Sequence, residues 1–515
     1  MGRLSQSFSK RLRGIAVAIV SFSLSIVNHV TLKRLRGDGD SDDEDDELDS
    51  LDIDPFDAVL ERVKVKHISR YVAAIRAKTQ PGNKKSIPVV EVGSPDQHNS
   101  HLCYQVKFAD GVSWLLKVPA IGTPDQFDED DAENLRSEAL TMMMLRRETT
   151  IPIPEVFAYN NTCENKLKVP FILMEFIDAV PLMDVWHDRE SLKEVVQARR
   201  TRCLQDIAAA YVQLGKYIFN KRQLLRFDDQ DRLIGVVPVN KDPFSGLREG
   251  YTSRLGRWKE QENAQGRAYL KLLRMFVDWI PKSRGEESFV LRHPGPNIFN
   301  FLVSGDGSVR AILNWDGAQA VPSSLGNETY PLWLMRDWCP PVYIWSEEME
   351  RGINDEDCVW EDSPDTLKFY RNVYAQCIAN LLPESENAKV TRNSLLFQHL
   401  QMATGDPMFN AAITTKILGE VRKQAKYVDD NSRPFNPSDN KMDDNDNENH
   451  PSKEDATANH NSPNETEDNS EHGSIEADMD EDFYIDEMLL ELERDGLSKH
   501  QLKLIKTGFQ ALFFG

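Results

Sequence analysis

Short runs of alternating apolar and polar residues dominate the first structured part of the chain and predict β-strands. The Asp110-Gly111 dipeptide between two of these runs is a typical hairpin turn, because glycine accepts the backbone conformation that such a turn needs. In chain order, the predicted elements are a helical segment over 59–75, strands over 88–92, 102–108 and 112–118, a helix over 131–148, and strands over 156–159 and 171–175.

From residue 182 onward, apolar residues recur mainly at helical spacing. The exception is a predicted strand pair, 301–303 and 311–313, joined by a turn at Gly305-Asp306-Gly307. The predicted helices lie at about 190–220, 263–280, 365–381, 390–403 and 407–426. A β-rich half with one long helix, followed by a mainly helical half, predicts an α+β fold with two lobes.

The net charge of −22 is concentrated outside these elements. Residues 1–37 carry +7, residues 38–57 carry −12 and residues 429–482 carry −15, which leaves −2 for the rest. The folded part is therefore close to neutral, and the charge gives no support for nucleic-acid binding. The six cysteines form no CxxC pair, which argues against a zinc site or a disulfide framework and favours a reducing compartment.

Composition and pattern together divide the chain into six segments. They are a basic segment 1–37, an acidic linker 38–54 predicted to be disordered, a small β-rich lobe 55–178, a larger helical lobe 179–428, an Asn/Asp/Glu-rich segment 429–482 predicted to be disordered, and C-terminal helices in 483–515. The C-terminal helices are amphipathic, and we expect them to pack back onto the helical lobe, with partner binding as the alternative.

The basic segment 1–37 leaves three interpretations open. It holds five arginines, six serines and no acid, a composition typical of an organelle-targeting segment. Its apolar stretch 14–32 is short for a membrane anchor and is diluted by polar residues, so we do not expect a membrane partner. A disordered basic arm is the third interpretation. We expect an intracellular protein, mitochondrial if the segment is a targeting signal and cytoplasmic otherwise.

Residues 291–317 hold the motif that says most about function. His293 and Asn300 are seven residues apart, and the apolar strand 301–303 follows at once. Together with Lys117 in an earlier strand, this frame resembles the aminoglycoside phosphotransferase/choline kinase-like family of the protein-kinase-like superfamily, and within it an uncharacterised fungal subset. The resemblance covers about residues 60–425. It implies a two-lobed protein-kinase-like fold with a small β-rich N-lobe and a larger helical C-lobe.

The resemblance also implies how ATP would be held. In that family a strand lysine reaches the α- and β-phosphates, and a glutamate on the next helix holds the lysine in place. Lys117 and Glu138 match these two positions, with Glu133 as the competing choice for the glutamate. The apolar run 169–177 matches the segment that meets adenine. Its Glu175 and Ile177 would supply backbone groups.

Two acidic positions of the family are occupied by other residues here. Gly295 stands where the catalytic loop carries an aspartate, and Asn314 stands where an aspartate binds the metal. Asn300 and Asn314 still offer carbonyl oxygens to Mg²⁺, but without the charge that hard cations prefer. Asp316 would replace the lost carboxylate only after a local rearrangement. The loop 93–103 that would cover the phosphates has a single glycine.

These departures favour a protein with impaired catalysis and residual nucleotide binding, for which ATP and Mg²⁺ are weakened cofactors. The alternative is an active ATP-dependent phosphotransferase that acts on a small hydroxyl-containing substrate. A structural interaction protein is the third class, and the fold alone does not decide among them. The expected partners are a nucleotide and an unknown small molecule or protein. In the stretch 326–338 we expect Trp333 and Trp338 to be core residues.

Overall fold

The computed structural model describes residues 56–79, 87–98, 100–237, 246–258, 263–281, 287–353, 360–383, 387–432, 485, 487–494 and 496–513. The segments 1–37 and 38–54 lie outside these residues, as does 433–482, so their predicted targeting and disorder stay predictions. The chain divides into two compact units. The first contains residues 1–258 and 280–413, and the second contains residues 259–279 and 414–515.

The small lobe of the first unit is an antiparallel sheet with helices, and it agrees with the predicted strands. Its sheet order is β1-β3-β4-β6-β5, with β2 paired to β3. The elements are α1 (Asp57–Arg62), α2 (Val65–Thr79), β1 (Val89–Val92), β2 (Asp96–His98), β3 (His101–Phe108), β4 (Ser113–Pro119), α3 (Glu129–Glu148), β5 (Val156–Asn160) and β6 (Phe171–Glu175).

The hairpin between β3 and β4 forms at the predicted dipeptide. Gly111 has a φ of +85°, a left-handed conformation that glycine adopts without steric cost. Asp110 accepts two hydrogen bonds from the guanidinium of Arg76 on α2, at 3.0 and 2.7 Å. The turn is therefore tied to the helix that covers the sheet, and this contact helps to fix the position of β4.

The large lobe combines helices with two sheets. Its helices are α4 (Leu182–Trp186), α5 (Lys193–Tyr211), α6 (Leu247–Gly256), α8 (Glu347–Glu350), α9 (Pro364–Leu381), α10 (Asn387–Gly405) and the start of α11 (Pro407–Ser432), while α7 (Ala264–Trp279) belongs to the second unit. Its strands are β7 (Val180–Pro181), β8 (Ile218–Phe219), β9 (Gln223–Phe227), β10 (Leu233–Val237), β11 (Phe289–Arg292), β12 (Phe301–Val303), β13 (Val309–Ile312) and β14 (Gln319–Pro322).

The predicted pair β12–β13 is present and extends to the order β13-β12-β7. A second sheet of five strands, in the order β10-β9-β14-β11-β8, was not predicted. The predicted helix 190–220 was too long, because α5 ends at Tyr211 and β8 begins at Ile218. The strands of this sheet are two to five residues long, too short for their alternation to stand out in the sequence.

The second unit is helical and contains the C-terminal helices. Residues 487–494 form α12, and Lys499–Ala511 form α13. Phe509 of α13 stacks on Phe276 of α7 with ring centroids 4.8 Å apart, so the predicted packing onto an earlier helix is present. Helix α11 extends to Ser432, four residues into the segment predicted to be disordered. Among the described residues, no helix has the length and apolar character needed to cross a membrane.

Candidate functional site

A buried ion pair joins strand β4 to helix α3 in the small lobe. The Nζ atom of Lys117 lies 2.6 Å from Oε1 of Glu138, and only 7% and 4% of the two side chains are exposed. Helix α3 starts at a capping box in which Asp128 and Asp131 bond to each other's backbone N–H groups. This start sets the helix register that turns Glu138 towards β4. The predicted pairing is therefore present in the structure.

The competing glutamate points elsewhere. Glu133 lies 3.7 Å from Arg136 and 3.5 Å from Arg226, in a surface ion pair that is partly exposed. Burial alone would lower the pKa of the Lys117 ammonium, but the carboxylates of Glu138 and Asp316 outweigh it and raise that pKa. Lys117 is therefore held charged, as a phosphate-binding lysine must be.

His293 holds the segment 293–300 in place through two hydrogen bonds of its imidazole ring. The imidazole is buried, and its Nδ1 accepts a hydrogen bond from the N–H of Gly295 at 3.2 Å. Its Nε2 then donates to the carbonyl of Leu313 at 2.8 Å, which ties the loop to the end of β13. Burial lowers the pKa of His293 to about 4, so the ring is neutral at physiological pH.

Two asparagines bond to each other at the predicted metal positions. The side-chain amide of Asn314 donates to Oδ1 of Asn300 at 2.6 Å, and that of Asn300 donates to the carbonyl of Gly295 at 2.6 Å. The carbonyl oxygen that Asn300 would offer to a cation is thus already an acceptor. A Cβ atom added to Gly295 would lie 3.3 Å from Nδ2 of Asn300, so a side chain there needs only a small adjustment.

Asp316 is the carboxylate that would have to replace the metal-binding aspartate expected at position 314. Asn314 has a φ of +58°, a left-handed conformation that asparagine tolerates better than most residues, and the chain turns there. Burial raises the pKa of the Asp316 carboxyl, but the charges of Lys117 and His101 outweigh burial, and the net shift of this pKa is downward. Asp316 is therefore held as an anion, and its charge acts on both Lys117 and Glu138.

The predicted phosphate-covering loop is mostly a β-hairpin. Strand β2 pairs with the start of β3, and Gly93 donates its N–H to the carbonyl of Gln105 at 2.8 Å. Cys103 on β3 lies opposite Lys117 on β4. The hairpin therefore borders the cleft at Lys117, but its backbone N–H groups are largely used in strand pairing rather than directed at a phosphate.

The segment predicted to meet adenine follows β6. The N–H of Glu175 donates to the carbonyl of Glu155 at 2.8 Å, and the carbonyl of Ile177 accepts from Ala179 at 3.0 Å. Of the two predicted residues, Glu175 has therefore already used its N–H group. A contact between Ile177 and adenine stays a prediction.

The aromatic stretch after β14 packs inside the large lobe as predicted. Trp333 is 6% exposed and meets Trp186 and Phe301 edge to face, at 5.6 and 5.5 Å. Trp338 is 9% exposed and lies against His399 at 5.7 Å. Both tryptophans are therefore core residues of the large lobe.

Comparison with known proteins gives partial matches. A fungal relative from Candida albicans, "Altered inheritance of mitochondria protein 9, mitochondrial", is 28% identical over 181 residues, which is 34% of this chain and 28% of the relative. A macrolide 2′-phosphotransferase from Brachybacterium faecium covers 68% of this chain and 97% of its own, at 13% identity and a TM-score of 0.37. An aminoglycoside phosphotransferase, a thermostable mutant, covers 67% and 96%, at 12% identity and a TM-score of 0.35.

The solved structures similar to this chain thus include phosphotransferases, and the curated relative named above is fungal, as the predicted resemblance implies. The chain matches about a quarter to a third of the length of its curated fungal relatives. No protein-family model matches it. The two-lobed fold is assigned from the order of the helices and strands described above, and the solved structures are not used for it.

The site as a whole has a charged half and a neutral half. Lys117 and Glu138 can orient a phosphate, while Asn300 and Asn314 bring only amides to the place where a metal would bind. Within the described ranges, no group of three or more His, Cys, Asp or Glu side chains could hold a metal ion. Asp316 lies two residues after Asn314 in the sequence, and its carboxylate interacts electrostatically with Lys117. A magnesium ion here would lack most of its usual charged ligands.

Proposed function

We propose that this chain binds a nucleotide through Lys117 and transfers its phosphoryl group poorly or not at all. The observation that carries this proposal is the pair of short hydrogen bonds from Asn314 to Asn300 and from Asn300 to Gly295, each 2.6 Å. Both positions that would activate a hydroxyl group and bind a metal are thereby neutral, and the amides are engaged with each other. The resemblance to phosphotransferases supports the nucleotide as the ligand.

Retention of the Lys117–Glu138 pair supports binding rather than decay of the cleft. A buried ion pair of this kind is expensive to desolvate and contributes little to net stability. Its presence at 2.6 Å is consistent with a ligand-binding role for the lysine. The Candida albicans relative is described as mitochondrial, and the acid-free composition of residues 1–37 supports a mitochondrial location for this chain too.

Active transfer to a small hydroxyl compound is the second candidate, and Asp316 is what favours it. Its carboxylate could supply the charge that Asn314 lacks. The two candidates differ in what Mg²⁺ does: a binding protein holds ATP with little dependence on Mg²⁺, whereas an enzyme requires the metal.

The test is a paired titration and turnover assay. ATP binding is measured by calorimetry with and without Mg²⁺ for the unmodified chain and for Lys117→Met, which should lose binding in both conditions.

ADP release with a panel of hydroxyl compounds is measured for the unmodified chain and for Gly295→Asp combined with Asn314→Asp. The double variant should turn over at least roughly 10⁴ times faster if each restored carboxylate contributes about 10² or more. Robust ADP release by the unmodified chain would contradict the proposal.

A further inference from the structure

One arginine of helix α3 is bonded to the β9–β10 hairpin of the large lobe. Nη1 of Arg136 donates to the carbonyl of Phe227 at 2.9 Å. Nη2 donates to the carbonyl of Asp228 at 2.5 Å and to Oδ1 of Asp231 at 3.0 Å. A guanidinium is planar and carries its N–H donors in fixed directions, so it holds three points of the hairpin at once. These bonds therefore fix where the hairpin lies along α3.

The residues near Arg136 add contacts between the same two elements. Oγ of Ser137 donates to the carbonyl of Leu225 on β9 at 3.0 Å. Glu133 lies 3.5 Å from Arg226 of β9 in a weaker, partly exposed ion pair. Buried apolar residues of α3 and β9 also share one hydrophobic core: Leu135, Ala139, Leu140, Met142, Met144 and Leu145 of α3, and Leu225 and Phe227 of β9. The helix is therefore packed against the hairpin as well as bonded to it.

The turn of this hairpin has a backbone conformation that serves the contact. Asp231 has a φ of +56°, in the left-handed region that few residues other than glycine adopt. The carboxylate of Asp228 accepts from the N–H groups of Gln230 and Arg232, both at 2.9 Å, and holds the turn closed. An unfavourable conformation persists only where the surrounding structure requires it, and here it brings the Asp231 carboxylate to Arg136.

These contacts lie next to the glutamate of the candidate site. Ser137 and Arg136 come one and two residues before Glu138. A helix rises about 1.5 Å per residue, so the bonds hold α3 within roughly 3 Å of Glu138 along the helix axis. A shift of the helix by about one residue would separate Oε1 of Glu138 from Nζ of Lys117, which are 2.6 Å apart. The ion pair is therefore sensitive to the position of α3.

We propose that the β9–β10 hairpin positions helix α3 for the Lys117–Glu138 pair, with Arg136 as the positioning residue. A change in the hairpin then alters the charge and direction of the Lys117 ammonium, and through them the affinity for a nucleotide. The effect on the nucleotide rests on the proposed function, whereas the effect on Lys117 does not. A merely structural contact would change the stability of the fold and leave Lys117 of the folded chain as it is.

The experiment measures the pKa of Lys117 by NMR of the full chain labelled with ¹³C-lysine, with the signal missing from Lys117→Met assigned to Lys117. The groups that face Lys117 are Glu138, Asp316 and Cys103. Burial lowers the pKa of this ammonium, and the charge of Glu138 is the largest effect that raises it. Arg136→Gln should lower the pKa by roughly one unit or more, because Glu138 moves away. Loss of the Arg136 charge alone would raise it, since a nearby like charge disfavours an ammonium.

ATP binding by calorimetry is the second measurement. Arg136→Gln should weaken it roughly threefold to tenfold, at most the loss of one hydrogen bond to a charged group. Arg147→Gln is the matched control, because it removes the same charge from the same helix, in an exposed pair with Glu148 about three turns away. It should change neither the pKa of Lys117 nor the affinity for ATP.

The double variant Ser137→Ala with Asp231→Asn keeps Arg136 and should lower the pKa of Lys117 less, and asparagine tolerates the left-handed turn. Its NMR result decides if circular dichroism shows that Arg136→Gln is unfolded. The proposal is overturned if the pKa of Lys117 rises or stays unchanged in the folded variants, or if Arg147→Gln lowers it equally. An unchanged ATP affinity beside a lowered pKa would overturn the effect on the nucleotide. Absence of ATP binding by the unmodified chain would contradict the proposed function, and the pKa of Lys117 would still decide on the hairpin.

Discussion

The two faces of the cleft differ in the charges that they keep. The small-lobe face retains a buried, charged pair, Lys117 and Glu138. The large-lobe face carries two amides, Asn300 and Asn314, which hydrogen-bond to each other, and His293 next to them is buried and neutral. A phosphotransferase needs charge on both faces, since one orients the phosphates and the other activates the hydroxyl group and binds the metal. If the proposed function is right, binding and chemistry are separable in this fold.

The largest effect should come from protonating the buried, neutral histidines of the large lobe with acid. Burial lowers the pKa of His187, His293 and His399 to about 4 each. The unfolded chain therefore binds more protons between pH 6.5 and 4, and the stabilisation present above pH 6.5 is lost as the pH falls. At pH 5 each histidine should lower the free energy of unfolding by on the order of 2 kcal/mol relative to its value above pH 6.5.

Urea unfolding at pH 7.5, 6.0 and 5.0, followed by hydrogen exchange, measures this effect. Amides of the large lobe should open before those of β3 and β4. His399→Gln should reduce the loss of unfolding free energy between pH 7.5 and pH 5 by the contribution of one histidine, on the order of 2 kcal/mol. A stability that does not change between pH 7.5 and 5.0, or a small lobe that opens first, would contradict the comparison.

The second effect tests the charged face. Glu138→Gln leaves the buried ammonium of Lys117 without its 2.6 Å partner, and an uncompensated buried charge costs about 3–5 kcal/mol. Glu133→Gln is the matched control, because it makes the same change on the same helix in a partly exposed surface pair worth less than about 1 kcal/mol. Urea unfolding at pH 7.5 compares the two variants. Equal losses would mean that the buried pair has no special role.

Much of this contrast can be read from the sequence, because it depends on local spacing. Asn300 precedes β12 and Asn314 follows β13, and the hairpin register Phe301 to Ile312 brings the two ends together. The Asp-Gly turn and the strand–helix order likewise place Lys117 and Glu138. These contacts require only a hairpin, or a strand followed by a helix, and both have clear sequence signals.

The parts that could not be predicted depend on pairings between distant segments. In the five-stranded sheet, Leu224 pairs with Gln319, and β8, with only two residues, pairs with β11. Such strands carry too few residues for a period to be recognised, and their partners are chosen by the packed core. The place of Asp316 beside Lys117 depends on how the lobes pack and on the left-handed turn at Asn314.

The smallest predicted effect concerns Asp316, whose carboxylate could give the large-lobe face of the cleft a negative charge. If the proposed binding role is right, its carboxylate affects a bound metal and contributes little to ATP affinity without one. Asp316→Asn should then change the Kd for ATP less than about threefold without Mg²⁺ and weaken it roughly tenfold at most with Mg²⁺, the loss of one charged ligand. Calorimetry in both conditions measures this, with Asp306→Asn as the control on an exposed turn. A loss of a hundredfold or more confined to Mg²⁺ would instead make Asp316 a true metal ligand. The large-lobe face would then be charged after all, and active transfer would become the better interpretation.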